Sequence, residues 1–169
     1  VAHSLNMGVL TEVINEQEVD IAVKNNAKVI GINNRDLRDL TVDLNVTKKL
    51  APAIPADRII ISESGIKTNH NVRELSNMAN GFLVGSALMG EKNLNTAVRK
   101  IIYGEHKICG LMRPDDAKQT YASGFIYGGL IFVPSSPRYI NTEQAQAIQH
   151  EAPSLQYVGV FQNEEISEV

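Results

Sequence analysis

At 169 residues the chain is long enough for one sizeable domain or two small ones, and 43% hydrophobic with 21% charged residues is an ordinary globular composition. A net charge of -3 without any basic block argues against nucleic acid or an anionic membrane as partner, and no apolar run approaches a membrane span. One cysteine, Cys109, cannot form an internal disulfide, and Val1-Ala2-His3-Ser4 carries no signal-peptide pattern, so a reducing cytoplasm is expected. His3, His70, His106 and His150 are scattered without a second ligand at metal spacing, so no metal site is expected.

Gly8 to Val13 is the first strand candidate, its apolar run interrupted by Glu12. Asn15 and Glu18 then form a capping-box pair, followed by Val19, Ala22 and Val23 at helical spacing. Val29-Ile30-Gly31-Ile32 is the second strand. It leads through Asn33-Asn34-Arg35-Asp36 and a loop to Asp43, then a short helix from about Asn45 to Ala51, closed by Pro52 and Pro55. Ile59-Ile60-Ile61 is the third strand, running into Ser62-Glu63-Ser64-Gly65. A helix from about Thr68 to Met78 turns Val72, Leu75 and Ala79 inward. Phe82-Leu83-Val84 is the fourth strand, ending in Gly85-Ser86. Leu94, Ala97, Val98, Ile101 and Ile102 then mark an amphipathic helix.

The alternation restarts after Gly104-Glu105-His106, the one linker candidate. Lys107 to Leu111 is the fifth strand, and Pro114, Asp115 and Asp116 suit a helix start. Phe125 to Phe132 is the sixth strand, followed by the stiff loop Pro134-Ser135-Ser136-Pro137-Arg138. Asn141 and Gln144 form another capping box, opening a helix to about Ala152. Gln156 to Phe161 is the seventh strand, and the chain stops in the next loop or helix. Seven strands alternating with six helices predict an α/β fold with a parallel sheet. Periodicity does not separate a (β/α)8 barrel from an open sheet. One barrel takes about 250 residues, so two whole barrels cannot fit.

Polar or small residues gather where these strands end, which is where parallel α/β folds hold ligands. Asn33 to Asp36 reads either as such a ligand end or as an ordinary loop rich in turn formers. Glu12 is either a buried carboxyl of raised pKa serving as general acid or base, or half of an ion pair with Lys28 or Arg58. Ser64-Gly65 and Gly85-Ser86, at successive strand-to-helix turns, suit a phosphate, though ordinary turns and caps look the same. Cys109 before Gly110 is a base or nucleophile, or inert core. Arg138 behind its prolines is a carboxylate clamp or a solvated loop residue.

Taken together, Glu12 in LTEV, the run GINNRDL, ISESGI and GFLVGSALM resemble the C-terminal half of indole-3-glycerol-phosphate synthase. KICGL, GGLIFVPSSPRYI and YVGVF resemble the opening of phosphoribosylanthranilate isomerase, and the order resembles the bacterial fused enzyme of tryptophan biosynthesis. The resemblance implies parts of two consecutive (β/α)8 TIM barrels. Residues 1–104 would be the C-terminal half of the synthase, with about four βα units. Residues 105–169 would be the N-terminal part of the isomerase, with three strands.

It further implies catalytic roles for Glu12 and Cys109. Asn33, Arg35, Glu63, Ser64 and Arg138 would bind substrate, and Gly65, Gly85 and Ser86 the phosphate. No cofactor and no metal are implied. The implied partners are small phosphorylated anthranilate-derived substrates, with no nucleic acid or membrane, in a cytoplasmic protein that is monomeric at full length. The family synthase also needs a lysine from its third strand and a glutamate and a lysine from its first two, and the family isomerase an aspartate and a phosphate site from later strands. None of these is in the sequence, so the stretch is expected to be inactive by itself. The rival expectation is an open α/β domain that binds a phosphorylated ligand without chemistry.

Overall fold

The computed structural model describes residues 2–165, and these divide into two compact units between Ala97 and Val98. In the first unit, β1 (Leu10–Val13), β2 (Val29–Asn33), β3 (Ile59–Glu63) and β4 (Gly81–Leu83) form one sheet in chain order, every pair parallel. Parallel neighbours need crossovers, supplied by α1 (Glu16–Lys24), α2 (Asn45–Leu50) and α3 (Asn69–Leu75). The pleat sends alternate residues to opposite faces. Val13, Ile30, Ile32 and Ile60 share the face that packs with Val19 and Ala22 of α1 and Leu50 of α2. Leu10, Glu12, Gly31, Asn33, Ile59, Glu63 and Leu83 share the other face.

Local chemistry explains where these helices begin. Asn15 Oδ1 accepts the Glu18 amide at 2.9 Å, while Glu18 reaches back to the Ile14 amide at 2.8 Å. The expected pairing therefore forms, shifted one residue toward the strand. Thr68 and Asn71 close a full capping box ahead of α3. That helix ends at Leu75 rather than near Met78, and Val72 is only half-buried while Leu75 is buried. Asn80 accounts for the early stop. Its side chain accepts the Ile60 amide at 2.7 Å and its own amide donates to the Ile60 carbonyl, tying the chain to β3 before β4 begins. After β4 comes a four-residue helix, α4 (Ser86–Met89), too short to show a period in the sequence. α5 (Leu94–Tyr103) spans the division between the units. Of its apolar stripe only Ala97 and Ile101 are buried, whereas Leu94 and Ile102 are exposed.

The second unit repeats the plan with β5 (Lys107–Cys109), β6 (Tyr127–Ile131) and β7 (Gln156–Val160) in parallel order, linked by α6 (Pro114–Ala122) and α7 (Thr142–Glu151). Asn141 and Gln144 form their capping box at the start of α7. Leu130, Ile140, Ile148 and Leu155 are the core, with Ala117 of α6 against them. β6 is shorter than the apolar run from Phe125 to Phe132 suggested. Phe125 and Ile126 belong to the turn that follows α6, where their amides bond Thr120 and His106 carbonyls. The expectation of a following loop or helix beyond Phe161 lies partly outside the described residues.

Candidate active sites at the strand ends

At the C-terminal end of the first sheet, β1, β2 and β3 bring Glu12, Asn33 and Glu63 to one face. Asn33 Nδ2 donates to Glu12 Oε2 at 3.3 Å, and its Oδ1 accepts the Arg35 amide at 3.0 Å. In the register Gly31 is level with Glu12, and Glu63 with Asn33 two residues further along β2. A Cβ on Gly31 would fall 2.0 Å from Glu63 Oε1, so the Glu63 carboxyl occupies the space a side chain would fill. The burial expected at Glu12 is found instead at Glu63. Glu12 is exposed at the sheet's outer strand and has neither Lys28 nor Arg58 as an ion-pair partner, whereas Glu63 is 3% exposed. Burial pushes the Glu63 carboxyl above the ordinary glutamate range, and the neighbouring Glu12 carboxyl adds to that shift. Glu63 Oε1 is buried without a hydrogen-bond partner.

Behind this face a buried knot holds the strand ends in register. Asn34 donates to Ser62 Oγ at 3.0 Å, the Glu63 carbonyl at 2.8 Å and the Ser64 carbonyl at 3.0 Å. Its Oδ1 accepts both the amide (3.1 Å) and the hydroxyl (2.8 Å) of Thr47 in α2, and Thr47 Oγ1 lies 2.7 Å from Ser62 Oγ. Ser64 and Gly65 are thereby held at positive φ, +64° and +81°. For a serine this is an uncommon conformation that its surroundings must maintain. Sequence reasoning named Asn34 only as part of its loop; its anchoring role depends on partners 13 to 30 residues away.

The turns after β3 and β4 face a common cleft of about 160 Å³, lined by Arg35, Ser64, Gly65, Gly85 and Ser86 together with the apolar Ile66, Leu83 and Val84. Arg35 reaches it from β2, its Nη1 donating to the Leu40 carbonyl at 3.1 Å. Asp36 and Arg38 pair at 2.5 Å on the same loop, which holds the Asp36 carboxyl at about 2.

In the second unit Cys109 ends β5 on the sheet face opposite the packed helices, level with Gly129 of β6. A Cβ on Gly129 would lie 2.8 Å from Cys109 Sγ, so the thiol leans over the neighbouring strand as Glu63 leans over Gly31. Arg138 lies beside it, Nη1 donating to the Cys109 carbonyl at 2.8 Å. The loop that carries Arg138 is fixed by the Tyr139 bridge to Ile131 and the Ile140 amide on the Ile131 carbonyl.

Comparison with known proteins agrees with this two-part layout. Residues 1–101 match the family model described as indole-3-glycerol phosphate synthase, and residues 106–169 the one described as N-(5'phosphoribosyl)anthranilate (PRA) isomerase. Both are TIM-barrel families, so the four-stranded and three-stranded sheets are parts of two (β/α)8 barrels. The tryptophan biosynthesis protein TrpCF of Vibrio cholerae is 62% identical over the whole chain, and the TrpCF proteins of Salmonella typhi and Helicobacter pylori are 59% and 52% identical over 100% and 99% of it. The chain spans 36–37% of the length of these relatives. The chain belongs to the indole-3-glycerol phosphate synthase family over residues 1–101 and continues from residue 106 into a segment matching the PRA isomerase family.

Proposed function

We propose that this chain is part of a tryptophan-biosynthesis enzyme with two activities. The synthase part closes, decarboxylates and dehydrates carboxyphenylamino-deoxyribulose phosphate to indole-3-glycerol phosphate. The isomerase part performs the Amadori rearrangement of N-(5'-phosphoribosyl)anthranilate. The observation that carries the reading is the convergence of Glu12, Asn33 and Glu63 on one sheet face, beside a cleft formed by the next two strand-to-helix turns. Glu12 acts as general acid or base and Asn33 holds substrate hydroxyls, with Arg35, Glu63 and Ser64 as further substrate contacts. Gly65, Gly85 and Ser86 take the phosphate. In the isomerase part Cys109 removes the C2′ proton and Arg138 grips the anthranilate carboxylate. We put the boundary between the two parts near residue 104, beyond the division of the compact units after Ala97; the end of α5 at Tyr103 supports it.

The partners are small phosphorylated molecules rather than nucleic acid, and the full-length protein is a cytoplasmic monomer. Among the described residues no helix is long and apolar enough to cross a membrane.

The test uses the polypeptide extended to the length of its relatives. Glu12→Gln lowers indole-3-glycerol phosphate formation by roughly 10²-fold or more, the scale of a positioned acid or base. Cys109→Ser depresses isomerisation and spares the synthase step. Binding of phosphoribosylanthranilate without turnover would favour the rival reading, a phosphate-ligand domain without chemistry.

A further inference from the structure

We propose that Gly110 is the positioning residue of Arg138: its missing side chain makes the seat in which the Arg138 guanidinium lies beside Cys109. The inference deepens the reading of Arg138 as the grip on the anthranilate carboxylate and rests on it for its meaning in substrate binding.

The arginine is held at both ends and in the middle. The loop after β6 fixes its backbone. The Arg138 amide donates to Ser136 Oγ at 3.2 Å, the Tyr139 amide to the Ser136 carbonyl at 3.0 Å, and the Ile140 amide to the Ile131 carbonyl at 3.0 Å. Its tip is tied to β5, where Nη1 donates to the Cys109 carbonyl at 2.8 Å. Between these points the side chain crosses Gly110. A Cβ on Gly110 would lie 2.7 Å from Arg138 Cδ, 2.8 Å from Nη1 and 3.0 Å from Nε. Non-bonded heavy atoms settle about 3.5–4.0 Å apart, so a side chain at 110 moves the guanidinium and with it the bond to Cys109. These contacts lie between the adjacent strands β5 and β6 and the loop leaving β6, all present in this chain.

Two consequences follow for the site. With Nη1 on the carbonyl, the Nε–Nη2 edge is the pair of parallel donors that fits two carboxylate oxygens. The tether fixes that edge at the end of the strand carrying the proposed base. A long arginine side chain has much rotamer freedom to lose, and a seat that confines it before substrate arrives removes part of that cost from binding. The backbone gives Gly110 a second reason to be glycine: its φ is +87°, and its amide and that of Leu111 both donate to the Gly129 carbonyl, at 2.8 and 3.0 Å. Asparagine tolerates positive φ better than most side chains and still carries a Cβ, so it separates the two reasons.

Steady-state isomerisation of phosphoribosylanthranilate by the polypeptide extended to the length of its relatives tests this. Gly110→Asn and Gly110→Ala are both expected to raise KM roughly tenfold or more, the scale of a misplaced charge-assisted bond, with kcat much less affected. Alanine strains the backbone more than asparagine and should lower the thermal midpoint further, yet the two KM values should match. In an Arg138→Ala background, Gly110→Asn should change kcat/KM little. An unchanged KM in folded Gly110→Asn would overturn the proposal. So would KM values that follow the thermal midpoints, or an equal loss with and without Arg138. A crystal structure of Gly110→Asn reads the placement without turnover. The guanidinium is expected off the Cys109 carbonyl, and finding it still bound there would also overturn the proposal. Absent isomerisation by the unsubstituted polypeptide would defeat the reading of the site as an isomerase alone.

Discussion

Gly31 shows how much a single missing side chain sets at the residue scale. With any Cβ, Glu63 would lose its seat, since its Oε1 lies 2.0 Å from where that atom would be. Gly31→Ala is expected to destabilise the first unit by about 1–3 kcal/mol, the usual scale of forced overpacking, read as a lowered urea midpoint. Glu63 also makes stability depend on pH. Its carboxyl binds the proton more tightly folded than unfolded. The stabilisation is complete below the unfolded glutamate value and fades as pH rises through the raised folded value. Urea unfolding followed by circular dichroism between about pH 4 and pH 8 should show the unsubstituted chain losing stability as pH rises. Glu63→Gln should lack that contribution. The sequence shows that a glycine interrupts an apolar strand, a sign of close approach. It does not show what approaches, because Glu63 lies a whole βα unit further on.

At the scale of elements, helix starts were readable and tertiary knots were not. Asn15 with Glu18, and Asn141 with Gln144, sit three residues apart, so their bonds depend on neighbours visible in any window of sequence. The Asn34–Thr47–Ser62 knot joins two strand ends to α2, and no local pattern announces it. Asn34→Ala should cost about 2–3 kcal/mol or more, because it leaves several buried groups without partners. It should also loosen the positive-φ turn at Ser64 and Gly65, seen as faster amide exchange there, whereas a surface asparagine such as Asn77 should be neutral.

The C-terminal half of α5 is held the same way. Arg99 stacks 4.0 Å from the Tyr121 ring and 5.5 Å from Tyr103, and donates to the carbonyls of Tyr121 and Phe125. The helical spacing of Leu94, Ala97, Val98, Ile101 and Ile102 shows the apolar stripe along α5 and is silent on this cation. Arg99→Ala should destabilise the second unit by about 1–3 kcal/mol, and Arg99→Lys by less, measured by thermal unfolding.

At the scale of the whole molecule, parallel strands in chain order with helical crossovers follow from the alternation of strand and helix patterns, which is why the α/β class was legible. Barrel against open sheet was not, since hydrophobic period reports which face is covered and not how a sheet closes. The exposures now bear on that point. In the first unit the face turned from the helices carries Leu10, Ile59 and Leu83 at 40%, 49% and 48% exposure, and β1 and β4 each pair on one side. Beside β1 a cleft of about 530 Å³ opens between Met7, Val9 and Ile21 of α1. Unpaired edges beside apolar surface favour association. The 169-residue chain is therefore expected to self-associate as concentration rises, measured by sedimentation velocity. Leu10→Lys with Leu83→Lys should weaken that association, since charge on an edge strand discourages pairing. Glu12 shares this face, so association should also slow exchange of the β1 amides. A chain that sediments as a monomer at every concentration would mean that this apolar face is stable in water without a second surface against it.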